Sequence, residues 1–148
     1  MHRFLRYWLP LLLWMALIFS ASGDTKSSHK SSRLIGPFVK FFIPDISEAR
    51  LDQIVFGARK GAHLTEYAIL SWLLARAFLR PGTPWGRWDR KAALLAWLIA
   101  SLYAASDELH QAFVPNRTGR WTDVGLDSFG AGVGIVTLYY FGRWRKYW

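Results

Sequence analysis

Apolar residues in this chain fall into four blocks instead of alternating with polar ones at a regular short period. Residues 7–19 run YWLPLLLWMALIF, residues 62–79 AHLTEYAILSWLLARAFL, residues 92–106 AALLAWLIASLYAAS, and residues 124–141 VGLDSFGAGVGIVTLYYF. A helix that crosses a bilayer needs about 20 mostly apolar residues, and each block approaches that length once its ends are included. The pattern predicts one all-α, polytopic membrane domain over 1–148, with four transmembrane helices at about 4–22, 62–80, 92–111 and 123–142. A cleaved leader is the rival reading of the first block. Its start is basic through Arg3 and Arg6, and Ser20-Ala21-Ser22 resembles a small-residue cleavage site. Cleavage would leave three spans. Trp8, Pro10 and Trp14 are unusual in a short leader and favour a retained helix.

The stretch from 23 to 61 is predicted as a long amphipathic first loop. It opens with the polar run DTKSSHKSS, expected to be flexible, and continues with LIGPFVKFFI at 34–43. That second run is too short to span and suits an interfacial segment or part of a lid. Pro44 should end it. Ser47 should then cap a short surface helix with Leu51, Ile54 and Val55 on its apolar face. The RPGTPWG run at 80–86 predicts a turn. Trp85, Trp88 and the terminal YYFGRWRKYW suit an aromatic and cationic belt at the membrane interface, and Arg76 can extend to the nearby surface.

Composition narrows this picture. The chain has 148 residues, 52% hydrophobic, with nine Trp and no Cys, so disulfides and thiolate metal sites are excluded. The net charge of +9 does not point to nucleic acid, because the basic residues punctuate the ends of apolar blocks and form no stacking face. Membrane lipids with anionic head groups are the expected partners. Lys and Arg divide evenly between the two sides of the predicted topology. The tails and the 80–91 loop are short and densely basic, whereas the first loop is long and dilute, which favours cytoplasmic termini.

Polar residues at membrane depth carry the functional reading. His63 and Glu66 open the second block, Asp107, Glu108 and Gln111 close the third, and Asp123 and Asp127 open the fourth. Alternating helix directions place all of these at one end of the bundle, together with Ser20 and Ser22. Ionisable residues at such depth are uncommon and mark sites. Helical spacing puts His63, Glu66, Tyr67 and Leu70 on one stripe, and Tyr103, Asp107, His110 and Gln111 on another. Asp123, Asp127, Gly130, Ala131 and Gly134 form a third. That stripe ends in a small-residue seam that lets another helix approach closely. Depth alone decides little: Glu66 and Asp127 lie only about 6 Å from their predicted helix starts, at roughly 1.5 Å per residue. Asp123 serves equally well as a helix cap, and Asp107 or Glu108 could pair with Arg59 or Arg117 to join helices. No H-E-x-x-H occurs, and neither a metal nor another cofactor is assigned.

Several runs resemble the VanZ-like family of small bacterial membrane proteins. The resemblance rests on residues 13–22 (LWMALIFSAS), Arg59-Lys60-Gly61-Ala62-His63 with Glu66-Tyr67, and the D-E-x-x-Q-x-F-x-P-x-R run from Asp107 to Arg117. It extends through Asp123-Val124, Asp127 and Gly130-Ala131. It covers nearly the whole chain and implies a multi-helix protein of the bacterial cytoplasmic membrane. The family's namesake is linked to low-level resistance to the glycopeptide teicoplanin. Relatives often carry Asn at the position of Asp127.

Together these expectations describe an outward-facing polar pocket for an envelope or lipid-linked ligand. Arg59 and Arg117 would attract an anionic head group, and Glu66, Tyr67, Asp107, Gln111 and Asp123 would help to bind it. Glu108, Asp127 and His63 are the candidates for proton handling. The alternative is a membrane-embedded hydrolase or transferase that uses these carboxylates and His63 for acid–base chemistry. No convincing nucleophile accompanies them. A transporter fits less well, because no polar path crosses the other half of the bundle.

Overall fold

The computed structural model describes residues 2–22, 27–79, 88–114 and 119–148, and these are helical with no strand among them. Five helices follow in order: α1 (His2–Ser22), α2 (Ser27–Phe42), α3 (Glu48–Phe78), α4 (Arg90–Ala112) and α5 (Trp121–Trp144). Three of them, α1 from Phe4 to Ser22, α4 and α5, are long and apolar enough to cross a membrane. That is one fewer than the pattern predicts. The missing span lies in α3, whose apolar stretch is interrupted by His63, Thr65, Glu66 and Arg76.

The position of α3 accounts for its polarity. It packs against α1, α2, α4 and α5, most extensively against α5. A helix enclosed by others need not present an apolar surface to lipid all round. Its interior stripe is Tyr67, Leu70, Ser71, Leu74 and Ala75, all buried. Leu11 and Ile18 of α1 and Ala96, Ala100 and Ala104 of α4 join Leu70 in the same core. By contrast, Leu13 and Leu17 of α1 and Leu94, Leu98 and Leu102 of α4 face outward, as lipid-facing positions should.

Inter-helix contacts fix the directions. Trp8 meets Phe78 while Trp14 donates to the Glu66 carbonyl, so α1 runs antiparallel to the second half of α3. Tyr103 donates to the Met15 carbonyl at 2.8 Å and His110 stacks on Phe19, so α4 runs parallel to α1. Trp97 donates to the Ser128 carbonyl and the Arg120 main chain to Glu108, so α5 returns antiparallel to α4. The four long helices therefore alternate in direction.

The seam between α3 and α5 depends on two glycines. A Cβ at Gly130 would lie 2.5 Å from the Leu64 carbonyl oxygen, and one at Gly134 would collide with the Ala68 carbonyl and Ser71 Oγ. The small-residue stripe thus does bring another helix into backbone contact, and that helix is α3. On α4 the matching device is a run of alanines, with Ala96, Ala100 and Ala104 fully buried directly before the acidic end.

The first loop departs from expectation. The polar run is helical from Ser27, and residues 24–26 of it lie outside the described residues. The helix ends at Phe42, before Pro44, as predicted. Gly36 meets Leu51 and Lys40 pairs with Glu48 at 2.7 Å, so α2 folds back antiparallel on the start of α3. The short surface helix is not separate but is the first part of α3. No proline interrupts 48–78, and Gly57 and Gly61 are tolerated at about 1 kcal/mol each. Ser47 occupies the N-cap without a side-chain capping bond. Leu51 and Val55 are buried while Ile54 is exposed.

Candidate functional site

The helix directions bring the end of α1, the middle of α3, the end of α4 and the start of α5 together. Asp107, Glu108, Gln111 and Asp127 are all buried there, although each is polar. Gln111 Nε2 donates to Asp107 Oδ2 at 3.2 Å, one helical turn apart on α4. Ser22, in the last turn of α1, also interacts with the Asp107 carboxyl group. Glu108 Oε2 accepts the Arg120 main-chain N–H at 2.8 Å, which ties the end of α4 to the entry of α5. Glycine at 119 permits this return, since a Cβ there would strike the Glu108 carbonyl oxygen.

Asp123 does not cap α5. Arg120 holds the N-cap position, and Asp123 sits in the first turn, where the helix dipole still favours an acid. Its Oδ1 lies 2.5 Å from Lys60 Nζ on α3, with both side chains partly exposed. Three residues further along α3, His63 Nδ1 is 3.8 Å from Glu66 Oε2, beyond hydrogen-bond distance but close enough for charge to matter. Arg59 is half-buried and acts electrostatically on His63 together with Lys60, Asp107 and Asp123. His63, Glu66 and Asp123 thus form a partly exposed rim, with Lys60 as its cation.

Below the rim the satisfaction of polar groups changes. Asp127 is 1% exposed, and among the described residues neither of its carboxylate oxygens has a hydrogen-bond partner. The Tyr67 hydroxyl is likewise buried and without a partner among the described residues. The two groups are electrostatically coupled to each other and to Asp107, and Asp127 also senses Glu108, Asp123 and Lys60. Leaving a buried polar group without a partner costs about 1–3 kcal/mol, and more when it is charged. Such groups normally mark a bound water, an ion or a functional role.

Of the predicted site residues, His63, Glu66, Tyr67, Asp107, Glu108, Gln111, Asp123 and Asp127 share this end of the bundle, with Arg59 beside them. Arg117 lies outside the described residues. Tyr103 and His110, on the same α4 stripe as Asp107, make contacts with α1 instead, at Met15 and Phe19 respectively. Arg76 faces the Tyr7 ring at 5.2 Å near the opposite end.

Spacing alone did not single out Lys60 or Arg120. Lys60 precedes His63 by three residues, so extending the α3 stripe backward by one turn would have found it. Ser22, expected at this end from the alternation of helix directions, meets the cluster at Asp107. The Arg120 contact is made by the main chain and leaves no side-chain signal.

No curated protein and no solved structure matches the chain. A family model described as VanZ/LLP1 matches residues 7–142, which takes in α3 and α4 whole, most of α1 and α5, the glycine seam and every residue of the buried polar end. The chain belongs to the VanZ/LLP1 family.

Proposed function

We propose that this protein binds an envelope or lipid-linked ligand at the polar end of its bundle, from the outer face of the bacterial cytoplasmic membrane. The observation that carries this reading is the unpartnered pair Asp127 and Tyr67 beneath a charged rim. Purely structural polar groups in a membrane interior are expected to satisfy one another. In this reading the second half of α3 crosses the membrane as a fourth span. It runs between the same two ends as α1, from the Trp14–Glu66 contact to the Trp8–Phe78 contact. Both termini then lie in the cytoplasm, where the short basic flanks favour them.

Lys60 and Arg59 supply positive charge at the rim for a phosphate or carboxylate head group, with Arg117 a further cation expected from the sequence alone, and Gln111 and Tyr67 orient it. A catalytic version of the same site is favoured by one observation, the electrostatic coupling of Asp127 to Glu108. Two carboxylates in one enclosed place are the usual equipment of general acid–base chemistry. That version is a hydrolase or transferase acting on a lipid head group, with His63 as proton relay. A role in teicoplanin-type glycopeptide resistance follows from the family's namesake alone.

The test is mass spectrometry of small molecules retained by the purified chain, comparing wild type with Glu108→Gln and Asp127→Asn. Retention by wild type and loss in both folded variants supports the site. Equal retention by all three would remove it. Turnover of the retained molecule by wild type alone would select the catalytic version.

A further inference from the structure

The buried polar end is not uniformly charged, and its gradient specifies a ligand. Lys60 stands at the rim beside Asp123. One helical turn deeper, about 5.4 Å along α5, the exposed positive charge gives way to the buried carboxylate of Asp127. Asp107 and Glu108 add two more acids from α4. Among the described residues, both Asp127 oxygens and Asp107 Oδ1 are buried without a hydrogen-bond partner, and the Tyr67 hydroxyl joins them from α3. Tyr67 is fully buried, is coupled to Asp127 and Asp107, and belongs to a different helix from either acid. It is an observation independent of the acidic cluster.

An interior that offers acceptors and negative charge, under a rim that offers a cation, calls for a ligand with the opposite order of charges. We propose that this end of the bundle binds a primary ammonium linked to a phosphate, with the ammonium at Asp127 and Tyr67 and the phosphate beside Lys60. The proposal rests on the ligand-binding reading above and gives that ligand its chemical class. A primary ammonium carries three N–H donors, which it can direct at the unpartnered oxygens of Asp127, Asp107 and Tyr67. A quaternary ammonium has no N–H and would leave them unfilled. A two-carbon bridge between amine and phosphate is of the same scale as the roughly 6 Å rise along α5 from Asp123 at the rim to Asp127. A head group of the phosphoethanolamine type meets these requirements.

The test uses the full-length chain in detergent, read by native mass spectrometry. The probes are phosphatidylethanolamine, phosphatidylcholine and phosphatidylglycerol of identical acyl chains, with soluble O-phosphoethanolamine as a fourth arm. The wild-type chain should retain phosphatidylethanolamine about tenfold better than the other two lipids, the worth of one charge-assisted hydrogen bond. Asp127→Asn should abolish that preference, and Tyr67→Phe should reduce it. Competition by O-phosphoethanolamine places the recognition in the head group alone, and its failure to compete means that the lipid body is needed; either result keeps the ammonium–phosphate class. Equal retention of the three lipids, or an unchanged preference in Asp127→Asn, would overturn the proposal. Preferential retention of phosphatidylglycerol would overturn it too while leaving an anionic ligand at the rim, so its failure is distinguishable from failure of the site itself. The comparison among lipids on the wild-type chain needs no variant and decides the matter even if Asp127→Asn does not fold.

Discussion

Two neighbouring stretches of the same α5 face show opposite treatments of buried polarity. From Gly130 to Gly134 the helix lies directly on the α3 backbone, and the polar group at that contact is satisfied: Ser71 Oγ donates to the Ala131 carbonyl at 2.8 Å. One turn earlier, Asp127 is as deeply enclosed and has no hydrogen-bond partner among the described residues. Close packing and hydrogen-bond satisfaction go together in the first stretch and separate in the second. The seam is built for stability. The acidic end carries a cost that stability does not explain, and in the proposed reading that cost is offset by a bound ligand.

Substitutions can break this contrast from either side. The largest effect should come from Gly130→Val, which forces a side chain into the Leu64 backbone. The loss should be about 3 kcal/mol or more, seen as a collapse of thermal stability in detergent. Next is Asp127→Asn, which replaces an unpartnered acid in the interior by a neutral amide. Measured by denaturant unfolding without added lipid, it should raise stability by about 1 kcal/mol. Ser71→Ala should act in the opposite direction, costing about 0.6 kcal/mol, the usual worth of a hydrogen bond between membrane helices. Lys60→Met should change stability least, by about 0.3 kcal/mol, because its pair with Asp123 is partly exposed. A loss in Asp127→Asn as large as in Ser71→Ala would erase the distinction between the two stretches.

The parts legible in the sequence were those governed by period. The stripes on α3, α4 and α5 follow from helical spacing, and the structure turns them inward: Tyr67, Leu70, Asp107, Gln111, Asp127, Gly130 and Gly134 are buried. The Gly130–Gly134 seam was legible for the same reason. The first loop was not. A short surface helix and a separate span from about 62 were expected, yet α3 runs through both and through Gly57 and Gly61, because a helix held by packing on α2 and α5 overrides weak local propensity. Nor did hydropathy reveal how α3 is placed. Its charges lower the apolar average while its neighbours enclose it, and a linear sequence shows only the first of these. The partner of Asp123 was hidden in the same way. Lys60 sits 63 residues earlier in the chain, and only the α3–α5 contact brings the two together.

The most direct test of the acidic end is a thermal-stability comparison between wild type and Asp127→Asn, each in lipid-free micelles and in micelles supplemented with bacterial membrane lipid extract. A molecule that binds the folded state raises its melting temperature, whereas general solvation by lipid should serve both proteins alike. If Asp127 belongs to a ligand site, the extract will stabilise wild type beyond any effect on Asp127→Asn. If both proteins shift equally, the buried acid is not part of a binding site, and the contrast between seam and acidic end loses its functional meaning.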